Sequence, residues 1–336
     1  MTTRKDIENA LMRGADTLRD TIDAANYKDY VLPVMFLKYL SDSYADAVEA
    51  LSKQYSGIRL ERQKKYLPFM VAEGCSFYDL YKQRFADNIG QLINAAMRQI
   101  EADNNQQLAG VLSSVDYNSE NALGTREHKN AILRDLLEDF EPLNLRPSVI
   151  EIKEGQVPAD VIGDAYEYMI GQFASMAGKK AGSFYTPAAV SEIMARIVNV
   201  QPGERVYDPT CGSGSLLIKA AKKQNSKEVS IYGQEVNGSS VAMAKMNMYI
   251  HEIRDAKIGW GDTLANPVFL DADGNLLLFD AIVANMPFSK DKWASGFNPG
   301  GESSGKGKKE FKMEASLDKF HRFDWGVPPA SKGDWA

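Results

Sequence analysis

The chain has 336 residues, 44% of them hydrophobic and 25% charged, which excludes a disordered or fibrous chain and at ~150 residues per domain leaves room for about two domains. Lys and Arg number 39 against 45 Asp and Glu, a net charge of −6. That balance makes the chain a poor candidate for gripping nucleic acid alone, because such affinity comes chiefly from neutralised phosphates. The N-terminus, MTTRKDIENALMRGAD, is charged throughout and lacks the apolar stretch of a signal peptide. The apolar run Tyr30–Leu37 ends at Lys38, far short of the ~20 residues that span a bilayer, so a cytoplasmic protein without a membrane partner is expected.

Residues 1–160 read as a helical domain. Ile7, Leu11, Ala15, Leu18 and Ile22 share one face of a 3.6-residue period. A second face runs through Val34, Leu37, Tyr44, Val48 and Leu51, with Pro33 expected near the helix start or at a kink. Phe77–Gln99 and Lys129–Phe140 are further helical stretches, whereas Asn104–Asn121 is polar and weakly patterned. Nothing in this half forms a catalytic constellation, and packing or partner binding is its expected role.

Residues 161–336 read differently. A helix over Val161–Met176 and a Gly/Lys loop over Gly178–Gly182 precede Phe184-Tyr185-Thr186-Pro187, where Thr186 suits an N-cap and Pro187 the first helical position. A strand at Arg205–Tyr207 leads through a Gly-rich turn into a helix over Leu216–Lys223. A strand at Val229–Tyr232, a helix from near Asn237 and a third strand before Gly261-Asp262 follow. Phe269–Phe279 reads as a hairpin about Asp273-Gly274, and a fourth strand, Ala281–Ala284, runs into Asn285. Strands alternating with helices imply an α/β fold with a parallel, doubly wound sheet.

Asp208, Glu235, Asp262 and Asn285 each fall just after an expected strand, separated by 27, 27 and 23 residues. In an open α/β sheet the ligand crevice lies outside the carboxyl ends of the strands, so the four line one crevice. Two cofactor fingerprints fail there. A GxGxxG run from Gly212 meets Leu217 at its last position, and the GxxxxGK spacing of Gly300–Lys306 is followed by Gly307 instead of Ser or Thr. Two cysteines, Cys75 and Cys211, and three histidines, His128, His251 and His321, give neither a disulfide framework nor metal-ligand spacing.

Asp208-Pro209-Thr210-Cys211-Gly212-Ser213-Gly214, the acidic strand end after it, and Asn285-Met286-Pro287-Phe288 resemble an S-adenosylmethionine-dependent amino-methyltransferase of DNA. The helical first half, Gly163-Asp164-Ala165-Tyr166-Glu167-Tyr168 and Gly182-Ser183-Phe184-Tyr185-Thr186-Pro187 narrow the resemblance to the modification (M) subunit of type I restriction–modification systems, over essentially the whole chain. The resemblance implies N6-adenine methylation on a Rossmann-like sheet. Asp208, Pro209, Thr210, Gly212, Ser213 and Gly214 wrap the cofactor, Glu235 accepts its ribose hydroxyls, Asp262 its adenine amine, and Phe184, Tyr185, Thr186 and Pro187 close over its methionine part. Asn285 and the Met286 carbonyl receive the hydrogens of the target amine, and Phe288 stacks on a flipped base. Implied partners are double-stranded DNA, a specificity subunit, a second M subunit and a restriction subunit.

The sequence departs from the family at two places. Met286 replaces the usual proline of the motif, and the chain stops at Ala336, where relatives continue with about three further strands and a C-terminal helical segment. A sheet truncated after its fourth strand is therefore expected. Lys306, Lys308, Lys309 and Lys312 form a positive cluster that either meets DNA phosphates or is a solvated loop. N4-cytosine methylation and a catalytically silent cofactor-binding or scaffolding subunit stay open as alternatives. A nicotinamide dehydrogenase is disfavoured by Leu217 and by Asn285 at the fourth strand end.

Overall fold

The computed structural model describes residues 1–178, 185–222, 228–288, 292–298 and 312–329. The chain divides into two compact units, Met1–Ala181 with Lys245–Arg254, and Gly182–Ala244 with Asp255–Ala336.

The first unit is helical. α1 (Arg4–Thr17) starts from a capping box in which Thr3 and Asp6 satisfy each other's backbone amides. Its Ile7, Leu11 and Ala15 are buried as the periodicity requires. α2 (Tyr27–Ser52) carries Pro33 inside the helix, not at its start. A proline there removes one ladder hydrogen bond, and the surrounding buried run from Tyr30 to Leu40 keeps the helix continuous. α3 (Gly57–Lys64) follows, and then the stretch Phe77–Gln99 proves to be two helices, α4 (Phe77–Lys82) and α5 (Ile89–Asp103). Tight turns bridge the break, with Ala86 N donating to Gln83 O, and the Arg84 guanidinium there lies over the Tyr81 and Phe85 rings and pairs with Glu138 at 2.9 Å. α6 (Asn105–Leu108) and α7 (Glu120–Leu123) occupy the weakly patterned segment, which still buries Val111, Leu112 and Tyr117. α8 (Arg126–Phe140) and α9 (Pro158–Ala177) complete this part, with Pro158 in the first turn of α9.

The Gly163–Tyr168 motif lies on α9 and serves packing within this unit. A Cβ on Gly163 would fall 2.1 Å from the His251 ring, so only glycine lets the imidazole seat there. His251 Nε2 lies 3.7 Å from Glu167 Oε1, and Tyr166 is fully buried. Tyr249, from the same returning segment, packs edge-on against Phe36 and Phe69.

The second unit holds α10 (Ala188–Val198), β1 (Arg205–Asp208), α11 (Ser215–Lys222), β2 (Ser230–Glu235), the first turns of α12 (Gly238–Ile250), β3 (Lys257–Trp260) and β4 (Ala281–Ile282). The strands are all parallel in the order β3-β2-β1-β4, with Asp208 level with Gly233 and Tyr207 level with Ile282. The expected α/β sheet is therefore present with its four strands. The hairpin is reduced to one antiparallel bridge, Leu270 to Leu276. Its flanking aromatics are drawn onto the sheet: Phe279 stacks on Tyr207 at 4.4 Å, and Phe269 meets Tyr232 edge-on. Among the described residues no helix is long and apolar enough to cross a membrane.

Candidate functional site

The order β3-β2-β1-β4 sets Asp262, Glu235, Asp208 and Asn285 in a row along the carboxyl edge of the sheet. The strand order reverses between β1 and β4, the place where open α/β sheets leave a crevice. Asp208 and Glu235 are the last residues of their strands, not the residues after them, while Asp262 and Asn285 lie just beyond theirs.

The loop 208–214 is fastened to β2 by its own backbone. Cys211 N donates to Gln234 O at 3.0 Å, and Gly212 N to Glu235 Oε2 at 3.0 Å. Gly212 and Gly214 adopt φ of 52° and 75°, a region that admits glycine without strain. Cys211 packs on Gly233, where a Cβ would come within 3.0 Å of its sulfur, and burial pushes its thiol well above the ordinary range. The cysteine is a packing residue.

Asp208 is buried, and its Oδ1 accepts the Thr210 amide at 2.9 Å. Burial pushes its carboxyl up to about 7; Thr210 hydrogen bonding pulls it down, and the Glu235 charge raises it. Among the described residues no Lys or Arg pairs with Asp208. A buried carboxyl without a cation suits a ligand that brings one. Glu235 is buried beside it, oriented by the amides of Gly212 and, at 2.8 Å, Asn237.

Gln234, which periodicity did not single out, organises the next loop. Fully buried, it donates to the carbonyls of Gly261 and Asn266 and accepts from Val268 N at 3.1 Å. Its signal in the sequence is a polar residue inside a strand, between Gly233 and Glu235. Asp262 Oδ1 accepts from Leu264 N at 2.9 Å and Ala265 N at 3.2 Å. Its Oδ2 faces Gly296, where a Cβ would sit 3.1 Å away and would strike Ala265 at 2.5 Å. Trp293, Phe297, Met313 and Phe323 form a small core beside this turn. Arg322 anchors that core to the Asp262 loop by donating to the carbonyls of Thr263 and Leu264 while gripping Asp318. Thr263 Oγ1 in turn donates to the Pro209 carbonyl, joining the third strand's loop to the first's.

At the fourth strand end Asn285 is half-buried, and Met286, Pro287 and Phe288 are exposed, Phe288 to 78%. Asn285 Nδ2 donates to Thr186 Oγ1 at 3.1 Å, across 99 residues of sequence. Thr186 is thus not the N-cap of α10. Pro187 takes the cap position, the helix starts at Ala188, and buried Ser191 donates to the carbonyls of Thr186 and Pro187. Tyr185 is half-buried nearby in sequence. Phe184, Gly182 and Ser183 lie outside the described residues, as do Lys306, Lys308 and Lys309; Lys312 is exposed.

The site thus offers a buried acidic end, a second carboxylate two-amide-oriented beside it, a third at the next strand, and an amide held from behind. The N-6 DNA methylase family matches residues 157–336, and the HsdM N-terminal domain matches residues 7–140. The type I restriction enzyme MjaVIII methylase subunit of Methanocaldococcus jannaschii is 29% identical over 97% of this chain and 53% of its own length. The MpnII methylase subunit of Mycoplasma pneumoniae is 29% identical over 85% of this chain and 58% of its own. This chain therefore spans little more than half the length of these curated relatives. A crystal structure of the type I restriction-modification methyltransferase subunit from Streptococcus thermophilus superposes with a TM-score of 0.74 at 29% identity, covering 99% of this chain and 70% of that one. On the match over its second half, the chain belongs to the N-6 DNA methylase family.

Proposed function

We propose that this chain acts in the modification subunit of a type I restriction–modification system, transferring a methyl group from S-adenosylmethionine to N6 of adenine in DNA. In this scheme residues 1–160 are the helical domain and 161–336 the methyltransferase domain. A specificity subunit reads the sequence, and a second M subunit and a restriction subunit complete the assembly. The observation that carries the proposal is the Thr186–Asn285 hydrogen bond at the end of β4, on the sheet edge that also holds Asp208, Glu235 and Asp262.

The chemistry fits those residues one by one. Bound S-adenosylmethionine supplies an electrophilic methyl on a sulfonium. Asp208 offers the cofactor's cationic amino-acid end a buried carboxyl, Glu235 offers its ribose a fixed carboxylate, and Asp262 is the acceptor for its adenine amine. The 208–214 backbone and the Tyr185–Pro187 segment flank it. On the substrate side an exocyclic amine is a weak nucleophile, because its lone pair is delocalised into the ring. Asn285 Oδ1 and the Met286 carbonyl accept hydrogen bonds from its two N–H groups and turn the lone pair out of the ring plane. The rate gain comes from positioning and electrostatics. Met286 supplies a backbone carbonyl as proline would. The target nucleotide has to leave the duplex to reach this edge, and exposed Phe288 offers a stacking surface.

Labelled-methyl transfer to duplex DNA by the full-length chain with its specificity subunit tests the proposal. Label recovered in N6-methyladenine is expected; label in cytosine places the enzyme in the N4 class. Cofactor binding without any transfer identifies a scaffolding subunit.

Thr186 fixes which amide atom Asn285 presents, because a hydroxyl that accepts from Nδ2 leaves Oδ1 directed away from it. Thr186→Val therefore lowers kcat at saturating cofactor by about tenfold, the worth of one neutral hydrogen bond. Thr186→Ser keeps the hydroxyl and stays near the wild-type rate. Equal rates for both variants remove the role.

Asp208 makes cofactor binding pH-dependent. Its carboxyl, pushed up to about 7, is protonated below neutrality, and pairing with an ammonium requires the carboxylate. Affinity falls as pH drops below 7, by up to about tenfold per unit, and Asp208→Asn flattens the profile. The same shift acts on folding with the opposite sense. The native state holds a proton that the unfolded chain releases, so without cofactor stability declines as pH rises between about 4 and 7. Titration calorimetry and thermal melts across that range read both slopes.

A further inference from the structure

We infer that the outward face of α3 and the turn after it, formed by Ile58, Arg59, Arg62, Lys65 and Tyr66, is a docking surface for the phosphate backbone of duplex DNA. The inference rests on DNA being the substrate, as proposed above, and adds where the helical unit meets it.

α3 has no buried residue. Its inner side carries half-buried Leu60, Gln63 and Lys64, and Lys64 is tied to Glu61 at 2.7 Å. Tyr66 N donates to Gln63 O at 3.0 Å, which carries the helical path on beyond Lys64. At 100° per residue Ile58, Arg59, Arg62, Lys65 and Tyr66 fall within roughly one third of the circumference. All five are exposed, Ile58 to 76% and Tyr66 to 82%.

The clustering of unpaired cations sets this face apart, since Arg98 and Arg254 of the same unit also lack a carboxylate partner among the described residues but lie on separate segments. In the same unit Arg4, Arg13, Arg84, Arg126, Arg134 and Arg146 each lie against a carboxylate. Among the described residues Arg59, Arg62 and Lys65 make no such pair. In a chain of net charge −6, three unneutralised cations on one stripe are a local reversal of sign.

The geometry suits a duplex. Successive cations climb the helix by ~4.5 Å, three residues at 1.5 Å each. One strand of B-DNA presents a phosphate every ~3.4 Å of axis, so three long side chains can each take a separate phosphate. Arginine offers phosphate a two-pronged grip, tyrosine is a common phosphate donor, and Ile58 gives the sugars an apolar contact. The acidic balance of the chain is thus compatible with a DNA contact of its own, confined to one helix.

The test is the triple variant Arg59→Glu, Arg62→Glu, Lys65→Glu in the full-length chain assembled with its specificity subunit. Duplex affinity is measured by fluorescence anisotropy from 50 to 300 mM KCl. The log–log salt slope becomes shallower by about two to three, and affinity at 0.1 M salt drops about ten- to a hundredfold. kcat at saturating DNA stays at the wild-type value. A control carrying the same charge change at Arg19, Arg126 and Arg134, each already paired with a carboxylate, keeps the wild-type slope. An unchanged slope in the α3 variant overturns the inference, as does an equal change in the control, which reports net charge alone. Loss of assembly with the specificity subunit also overturns it and assigns the face to an acidic protein partner. If the wild-type complex itself shows no salt-dependent duplex binding, the DNA substrate and this surface fall together. A wild-type complex that binds and methylates beside an unaffected variant removes only the surface.

Discussion

Replacing Asn285 with alanine lowers methyl transfer by ~10³-fold or more, the upper range for removing one preorganised polar contact to the reacting group, while affinity for S-adenosylmethionine is unchanged. The separation follows from placement. Asn285 hangs beyond β4 and is held through Thr186. The carboxylates proposed to hold the cofactor belong to β1, β2 and the loop after β3. Removing the amide leaves their backbone hydrogen bonds untouched. A thousandfold loss corresponds to about 4 kcal/mol, more than one ordinary hydrogen bond contributes. On the proposed mechanism the excess arises because Oδ1 meets the amine most strongly as its nitrogen becomes tetrahedral. Asn285→Asp separates acceptor from donor: it keeps an oxygen for the amine, and the Thr186 hydroxyl can turn to donate instead. A rate well above that of the alanine variant is expected. Wild-type transfer by Asn285→Ala places the reacting centre elsewhere.

The Thr186–Asn285 contact also marks where sequence legibility ends. Asp208, Glu235, Asp262 and Asn285 were readable because a polar residue closing each β-like run repeats at a spacing only a strand–helix–strand unit needs. Thr186 was readable as a polar residue before a proline, which locally means a cap. Its actual partner lies 99 residues away, and no local pattern encodes that. Gln234 was hidden similarly, since a buried amide inside a strand has no periodic signature until the loop it ties, 261–268, is seen beside it. The split of Phe77–Gln99 brings Arg84 onto Glu138 of another helix, a contact no local pattern encodes. Alternation and strand-end polarity thus carried the sheet and the row of polar residues at its carboxyl edge. What was missed are contacts whose two ends are far apart in the chain.

Asp42→Ala destabilises the helical unit by about 3–5 kcal/mol, the cost of orphaning one member of a buried ion pair, and for a unit of this size lowers its melting temperature by roughly 10 °C or more. Lys38 and Asp42 stand four residues apart on α2, both with fully buried side chains, joined at 2.6 Å. The pair is the centre of a network. Lys38 Nζ also donates to Tyr78 Oη at 2.8 Å, Tyr78 Oη donates to Asp42 Oδ1 at 2.6 Å, and Leu145 N to Asp42 Oδ2 at 2.7 Å. Asp42 thereby joins α2 to α4 and to the segment after α8. Burial lowers the pKa of Lys38, and the Asp42 charge opposes that shift. Without the carboxylate the ammonium is left in an apolar enclosure beside the Phe77 and Tyr78 rings. Two costs are therefore combined in Asp42→Ala: an uncompensated charge, and unmet donors at Leu145 and Tyr78. The double variant Lys38→Met, Asp42→Asn tells them apart, because it removes both charges and keeps an oxygen for the Leu145 amide. It recovers more than half of the loss if charge dominates, as the full burial of both side chains requires. Denaturant midpoints for wild type, Asp42→Ala and the double variant measure the partition. A double variant no more stable than Asp42→Ala assigns the cost to the lost hydrogen bonds.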